Sequence, residues 1–164
     1  MSTETQVRGS CACGHITYTS TSQPGRACDC HCLECRKISG SPYITFIGFP
    51  RSSITYSHPP KTIRLSTVAE RAFCDQCGST ISMWYSVNDN FGIAAGSLDE
   101  ESMPAGTLAG LERPRIFLQE KAGWYDIPED GAPKFERFQP GFEEKLGEWR
   151  RTGASFARQH GEGK

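Results

Sequence analysis

Tyr43-Ile44-Thr45-Phe46-Ile47-Gly48-Phe49-Pro50 is the stretch that decides the fold class of this chain. β-branched and aromatic residues run without a charge and stop at a proline, so the segment reads as a strand. Similar short runs recur at intervals of about ten residues, the spacing of an all-β barrel or sandwich. One precedes it at 15–19, and others follow at 53–56, 62–66, 70–74, 80–85 and 91–95. The last two are joined by a turn at Asn88-Asp89-Asn90, and a further strand is expected at 115–119. Segment 99–114, with Pro104, two glycines and Pro114, reads as a surface loop. Only 141–151 has helical character, with Phe142, Leu146 and Trp149 at i, i+4 and i+7.

The 164 residues suit one domain, with no internal repeat and no linker. We expect a flexible tail at 1–6, a folded domain at 7–139, and a C-terminal helix with a disordered tail at 140–164. The 17 Gly and 10 Pro favour strands and turns over a helical bundle. Three Trp, nine Phe and five Tyr are too many for a disordered chain. The balance of 18 basic and 19 acidic residues offers nucleic acid or an acidic membrane no general attraction. No window is long and apolar enough to span a membrane. The first residues lack the basic-then-apolar pattern of a signal peptide, so a cytoplasmic protein is expected.

Eight cysteines are the unusual count. In a reducing compartment they point to metal or redox chemistry rather than a disulfide framework. Cys11-Ala12-Cys13-Gly14 and Cys74-Asp75-Gln76-Cys77-Gly78 are two half-sites, each a cysteine pair followed by glycine. A tight turn aims both sulfurs at one point, and the glycine supplies a backbone conformation that other residues resist. Together they make a closed four-cysteine set, the usual arrangement for structural zinc. The third cluster is Cys28-Asp29-Cys30-His31-Cys32-Leu33-Glu34-Cys35. Its Cys30, Cys32 and Cys35 can wrap one ion and leave a position open, where zinc does chemistry. Cys28 and His31 are the nearby candidates for a fourth ligand. In an extended segment Cys28 shares a face with Cys30 and Cys32, whereas His31 points away. His15, His58 and His160 have no evident partner.

These motifs together resemble the glutathione-dependent formaldehyde-activating enzyme family, which also includes centromere protein V. The matching residues are 9–14, then Cys30-His31-Cys32-Leu33-Glu34-Cys35-Arg36-Lys37 with Gly40-Ser41, then Phe73-Cys74-Asp75-Gln76-Cys77-Gly78-Ser79. A weaker tail pattern is echoed by Ile116-Phe117, Trp124 and Pro133-Lys134-Phe135. The resemblance implies a mainly β, β-tent fold of packed antiparallel sheets stapled by zinc, with 7–139 as the zinc-binding catalytic domain. It implies two Zn2+ per chain, a structural one on Cys11, Cys13, Cys74 and Cys77 and a catalytic one on Cys30, Cys32 and Cys35. The reaction implied is that of a carbon–sulfur lyase, addition of glutathione to formaldehyde giving S-hydroxymethylglutathione. Two departures stand out. Arg115 occupies a position where many members have histidine, and Cys28 is additional to the seven cysteines of the pattern.

Three thiolates on one zinc carry a net negative charge, so Arg36 and Lys37 are candidates to offset it or to hold a glutathione carboxylate. Arg36 is therefore counted with Cys30, Cys32 and Cys35 as catalytic. Ser39, Gly40 and Ser41 form a turn whose hydroxyls or N–H groups could meet an oxyanion. The expected partners are a small thiol such as glutathione and an aldehyde or thiol adduct, with no nucleic acid and no membrane. Self-association is left open. The competing reading is a zinc-stabilised, non-catalytic binding module in which Cys28 closes the second site. A redox enzyme would need a separate catalytic cysteine, and only Cys28 is spare.

Overall fold

The computed structural model describes residues 6–152. Its described strands are β1 (Val7–Ser10), β2 (Thr17–Ser20), β3 (Arg26–Cys30), β4 (Ile44–Pro50), β5 (Ile54–Tyr56), β6 (Lys61–Ile63), β7 (Ala69–Phe73), β8 (Thr80–Tyr85), β9 (Asn90–Ala94) and β10 (Arg115–Ile116). Two α-helices accompany them, α1 (Leu33–Ser39) between β3 and β4 and α2 (Pro140–Arg151) at the end. A three-stranded sheet has the order β1-β2-β5, and a seven-stranded sheet has the order β10-β3-β4-β9-β8-β7-β6. Neighbours are antiparallel except β10, which runs parallel to β3 through Arg115 opposite Asp29. The fold is mainly β, and that edge makes the larger sheet mixed rather than purely antiparallel.

Strand β4 lies inside the larger sheet, paired with β3 and β9. Its continuous apolar run reflects burial on both faces. Ile47 and Phe49 face the smaller sheet, packed in one core with Val7, Tyr18, Ile81 and Ile93. Ile44 and Phe46 face the other way, into a second core with Cys30, Cys32, Cys35, Met83 and Leu146. Each fully buried side chain of this kind contributes about 1.5–3 kcal/mol. The second core is closed by α2, which starts at Pro140, a favoured first helical position. Its Leu146 is buried, and Phe142 and Trp149 pack beside it. The helical periodicity at 141–151 therefore marks the face that covers the larger sheet.

Strands β1 and β3 carry too much Gly, Arg, Ser and Asp to announce themselves. In β1 a Cβ at Gly9 would meet the Tyr18 hydroxyl at 2.3 Å and the Ser97 carbonyl at 2.4 Å, so close strand approach requires glycine there. The strand expected at 115–119 is only two residues long. Phe117 turns to φ 61°, and the chain enters a 3-10 turn at Leu118–Glu120. The expected loop at 99–114 is partly interior: Ser102 and Met103 are buried, and Ser102 Oγ accepts from Arg8 N–H at 2.9 Å. His15 and His58 are exposed but paired, their rings stacked at 4.7 Å. The tails expected at 1–6 and beyond α2, His160 included, lie outside the described residues but for Gln6 and Thr152.

Candidate metal centres and active site

The two half-sites fold as matching turns. Cys11 N–H donates to Ile16 O at 2.9 Å, and Cys74 N–H donates to Ser79 O at 3.0 Å. Within them Gly14 and Gly78 adopt φ 75° and 77°, the left-handed region in which a Cβ is strained. Ser79 Oγ accepts from Ala12 N–H at 3.0 Å and lies 3.2 Å from Cys77 Sγ, so each turn helps hold the other. The four sulfurs of Cys11, Cys13, Cys74 and Cys77 all lie within 4.8 Å of one another. Separations of 3.5 Å (Cys11–Cys13) and 3.9 Å (Cys13–Cys74) bracket the edge of about 3.8 Å that a tetrahedron with zinc–sulfur bonds of about 2.3 Å requires. Ile16 N–H donates to Cys11 Sγ at 3.2 Å, the kind of contact that stabilises a thiolate. The donor set fits a closed, four-coordinate ion.

The second group forms where β3 passes into α1. Cys30 ends the strand, Cys32 caps the helix by accepting from Cys35 N–H at 3.4 Å, and Cys35 sits in the first turn. All three are buried, and their sulfurs lie within 4.8 Å of one another. Hydrogen bonds from Cys30 and Cys35 hold the Cys32 thiol far below its usual range, helped by Cys35 N–H and the charge of Arg71. The three sulfurs can hold one ion with a position to spare.

Arg71, in the middle of β7, belongs to none of the sequence motifs. It is 4% exposed, with Nη2 on Glu34 Oε2 at 2.6 Å and no hydrogen-bond partner for Nε or Nη1. Its charge acts on Cys35 and Cys32. A buried cation with unspent donors needs negative charge nearby, and the thiols provide it. The available signal is a charged residue at the centre of a short strand, three residues before Cys74. Tyr85, at the end of β8, is a second unforeseen residue. Desolvation first, and then the charges of Cys30 and Cys35, push its hydroxyl well above the usual phenol range. It therefore keeps its proton beside the sulfurs.

Arg36 is half-buried and donates from Nη1 to Glu120 O at 2.5 Å, pinning α1 to the 3-10 turn. Lys37 is exposed. Ser39 Oγ donates to Cys35 O at 2.8 Å, and Gly40 ends α1 at φ 65°. The turn expected to meet an oxyanion is thus the cap of α1. Cys28 does not join the three-sulfur group. It lines a cavity of about 390 Å3, and burial followed by the charge of Asp29 pushes its thiol up to about 12. His31, just past the end of β3, is fully buried, its ring 4.9 Å from Tyr43, and burial followed by the charges of Arg115 and Lys121 lowers it to about 4. Arg115 forms a bidentate pair with Asp130 at 2.7 and 2.6 Å. Its backbone bonds residues 133–135, so the tail pattern folds against β10 as one piece.

A β protein that gathers seven of its cysteines into one four-sulfur and one three-sulfur group belongs to a class defined by paired thiolate sites able to hold metal ions. Residues 6–110 match the family described as glutathione-dependent formaldehyde-activating enzyme, and the chain belongs to that family. It is 28% identical over 85 residues to an uncharacterised lyase of Schizosaccharomyces pombe, a match over 52% of this chain. The matched region spans 62% of that relative's length. The fold is similar to the crystal structure of a Rhodobacter sphaeroides protein determined as a structural-genomics target, with a TM-score of 0.50 and 18% identity. That likeness covers 65% of this chain and 98% of the other. Among the described residues no helix is long and apolar enough to cross a membrane.

Proposed function

We infer that this chain is a zinc-dependent carbon–sulfur lyase, active in the cytoplasm, that joins a thiol such as glutathione to an aldehyde such as formaldehyde, or cleaves the adduct. The observation that carries this reading is the buried trio Cys30, Cys32 and Cys35 with Arg71 and Tyr85 beside it. Zinc held by these three sulfurs would supply the charge that deprotonates an incoming thiol. Family membership and the lyase name of the yeast relative support the same chemistry.

The chain's own groups have distinct parts. Arg71 offsets the negative charge of three thiolates around a divalent ion. Arg36 acts from a distance, holding α1 and therefore Cys35 in place through Glu120. Tyr85 holds the proton that the reaction needs. As the thiolate sulfur attacks the carbonyl carbon, a C–S bond forms and the C=O π bond opens. The oxygen takes the Tyr85 proton, and the proton released by the incoming thiol restores Tyr85. Reversal returns both. Cys11, Cys13, Cys74 and Cys77 would hold the structural zinc, and residues 7–139 form the catalytic unit.

The test is NMR exchange of 13C-formaldehyde with glutathione, with and without the zinc-loaded chain. Acceleration above the spontaneous rate supports the lyase, and its absence with formaldehyde and with larger aldehydes alike overturns it. The non-catalytic module remains the second reading, with Cys28 as fourth ligand. Loss of one zinc on Cys28→Ser, with the fold intact, would favour it.

A further inference from the structure

A cavity of about 390 Å3 lies on the Cys30 face of the larger sheet, and the proton and charge roles proposed above do not account for it. Its origin is plain in the strand register. Gly48 of β4 pairs directly with Gly92 of β9, so two adjacent strands present no side chain at the same place. Phe46, Met83 and Tyr85 wall the space from the sheet, Ile116 from its edge, and Phe138 and Phe142 from above. Cys28 lies in its wall one pleat along β3 from Cys30, and Tyr85 both lines the cavity and packs against the core that contains Cys30, Cys32 and Cys35.

Formaldehyde has two heavy atoms and fills on the order of 30–60 Å3, judged by the share of one water. The cavity is several times larger, in the range that holds drug-sized ligands. Glutathione fits its chemistry poorly: the tripeptide carries three charges, and the charged side chains in the lining are only Arg26 and Glu112, both exposed. Most of the wall is aromatic or aliphatic, with the amides of Asn88, Asn90 and Gln139 as its uncharged polar part. We propose that the cavity receives the carbon side of the substrate, and that this is a bulky apolar aldehyde, aromatic or medium-chain, or the matching group of its thiol adduct. The inference rests on the lyase reading and narrows it. The reaction balances as before: the thiolate sulfur bonds the carbonyl carbon, the C=O π bond opens, and the oxygen takes a proton from Tyr85. The tail of the aldehyde lies over Gly48 and Gly92.

The test compares phenylacetaldehyde and formaldehyde as partners of glutathione by NMR exchange on the zinc-loaded full chain. The bulky aldehyde is expected to be accelerated at least about tenfold more, the scale on which hydrophobic pockets discriminate. Gly48→Val should reduce that preference ratio, since its Cβ meets the flexible Arg26 side chain at 3.0 Å and the remaining methyl groups enter the cavity. Cys28→Leu fills the same space from β3 and serves if the first variant fails to fold. A readout independent of turnover is binding of 4-fluorobenzyl alcohol, followed by 19F NMR, which the filled variants should lose. Acceleration of formaldehyde alone sinks this inference and leaves the lyase standing. Acceleration of neither aldehyde sinks both.

Discussion

Arg71 Nη2 donates to Glu34 Oε2 at 2.6 Å, tying strand β7 to helix α1 across the three-sulfur group. The pair places a buried guanidinium against thiols from a distant part of the chain. Arg71→Met removes the charge while keeping much of the side-chain volume. It should weaken zinc at the three-sulfur site by about tenfold or more, the usual scale for groups that support metal ligands. Zinc on the four-sulfur site should be unaffected. Competition with a chromophoric chelator resolves the two, and Arg71→Lys should recover part of the loss.

Tyr85→Phe deletes one hydroxyl and leaves the ring against Phe138 and Phe142. If that hydroxyl supplies the proton, exchange between thiol and aldehyde falls by about 100-fold, within the range for general acid catalysis. Zinc content and thermal midpoint should not change. An unaltered rate would remove Tyr85 from the mechanism.

The two cysteine groups should differ in what their loss does to the fold. Cys74→Ser breaks the four-sulfur set that joins residues 11–13 to residues 74–77. A structural zinc there would contribute about 10 kcal/mol or more, comparable with the stability of a small domain, so this variant should be unfolded by circular dichroism. Cys35→Ser should retain the native spectrum with one zinc fewer by elemental analysis.

Gly14 and Gly78 each hold a left-handed backbone in open space, with no atom near an added Cβ. Alanine at either site is opposed only by backbone conformation, at about 1–2 kcal/mol. Gly123→Ala, also in open space but without positive φ, is the control. Thermal melts should separate the first two from the third by several degrees.

Asp130 accepts both Arg115 hydrogen bonds, which hold its carboxyl far below the usual aspartate range, with Ala132 N–H adding to the effect. A depressed folded value means the stabilisation is complete above the unfolded aspartate value, about 3.9, and fades as pH falls toward the folded one. The difference in melting temperature between the wild type and Asp130→Asn should therefore be constant from pH 7 to 5. It should shrink below about pH 4. A gap independent of pH would show that the pair stabilises through shape alone.

Much of this architecture is legible from local pattern. The uncharged run at 43–49 announces β4 because both of its faces are buried, so no polar alternation is required. Glycine after each cysteine pair announces the turns, since φ near 75° excludes most other residues. Phe142, Leu146 and Trp149 announce α2 through the spacing of one helical face. What escapes are elements whose residues are chosen for chemistry or for close approach. Strand β3 is written in Arg, Cys and Asp, and β1 depends on Gly9 leaving room for Tyr18.

By itself, then, the sequence determined which cysteines could share an ion, because C-x-C, C-x-x-C and a following glycine limit where sulfurs in one turn can point. It also set Cys28 and His31 apart by the pleat of an extended segment, and neither joins the three-sulfur group. Only the tertiary structure decided that Arg71, rather than Arg36, answers the charge of the trio, and that Cys28 faces a cavity. Arg71 and Cys35 are 36 positions apart along the chain, and nothing local relates them until β7 and α1 pack together. The Gly48–Gly92 pairing that opens the cavity is likewise a matter of register, and register is settled by which faces of β4 and β9 the two cores bury.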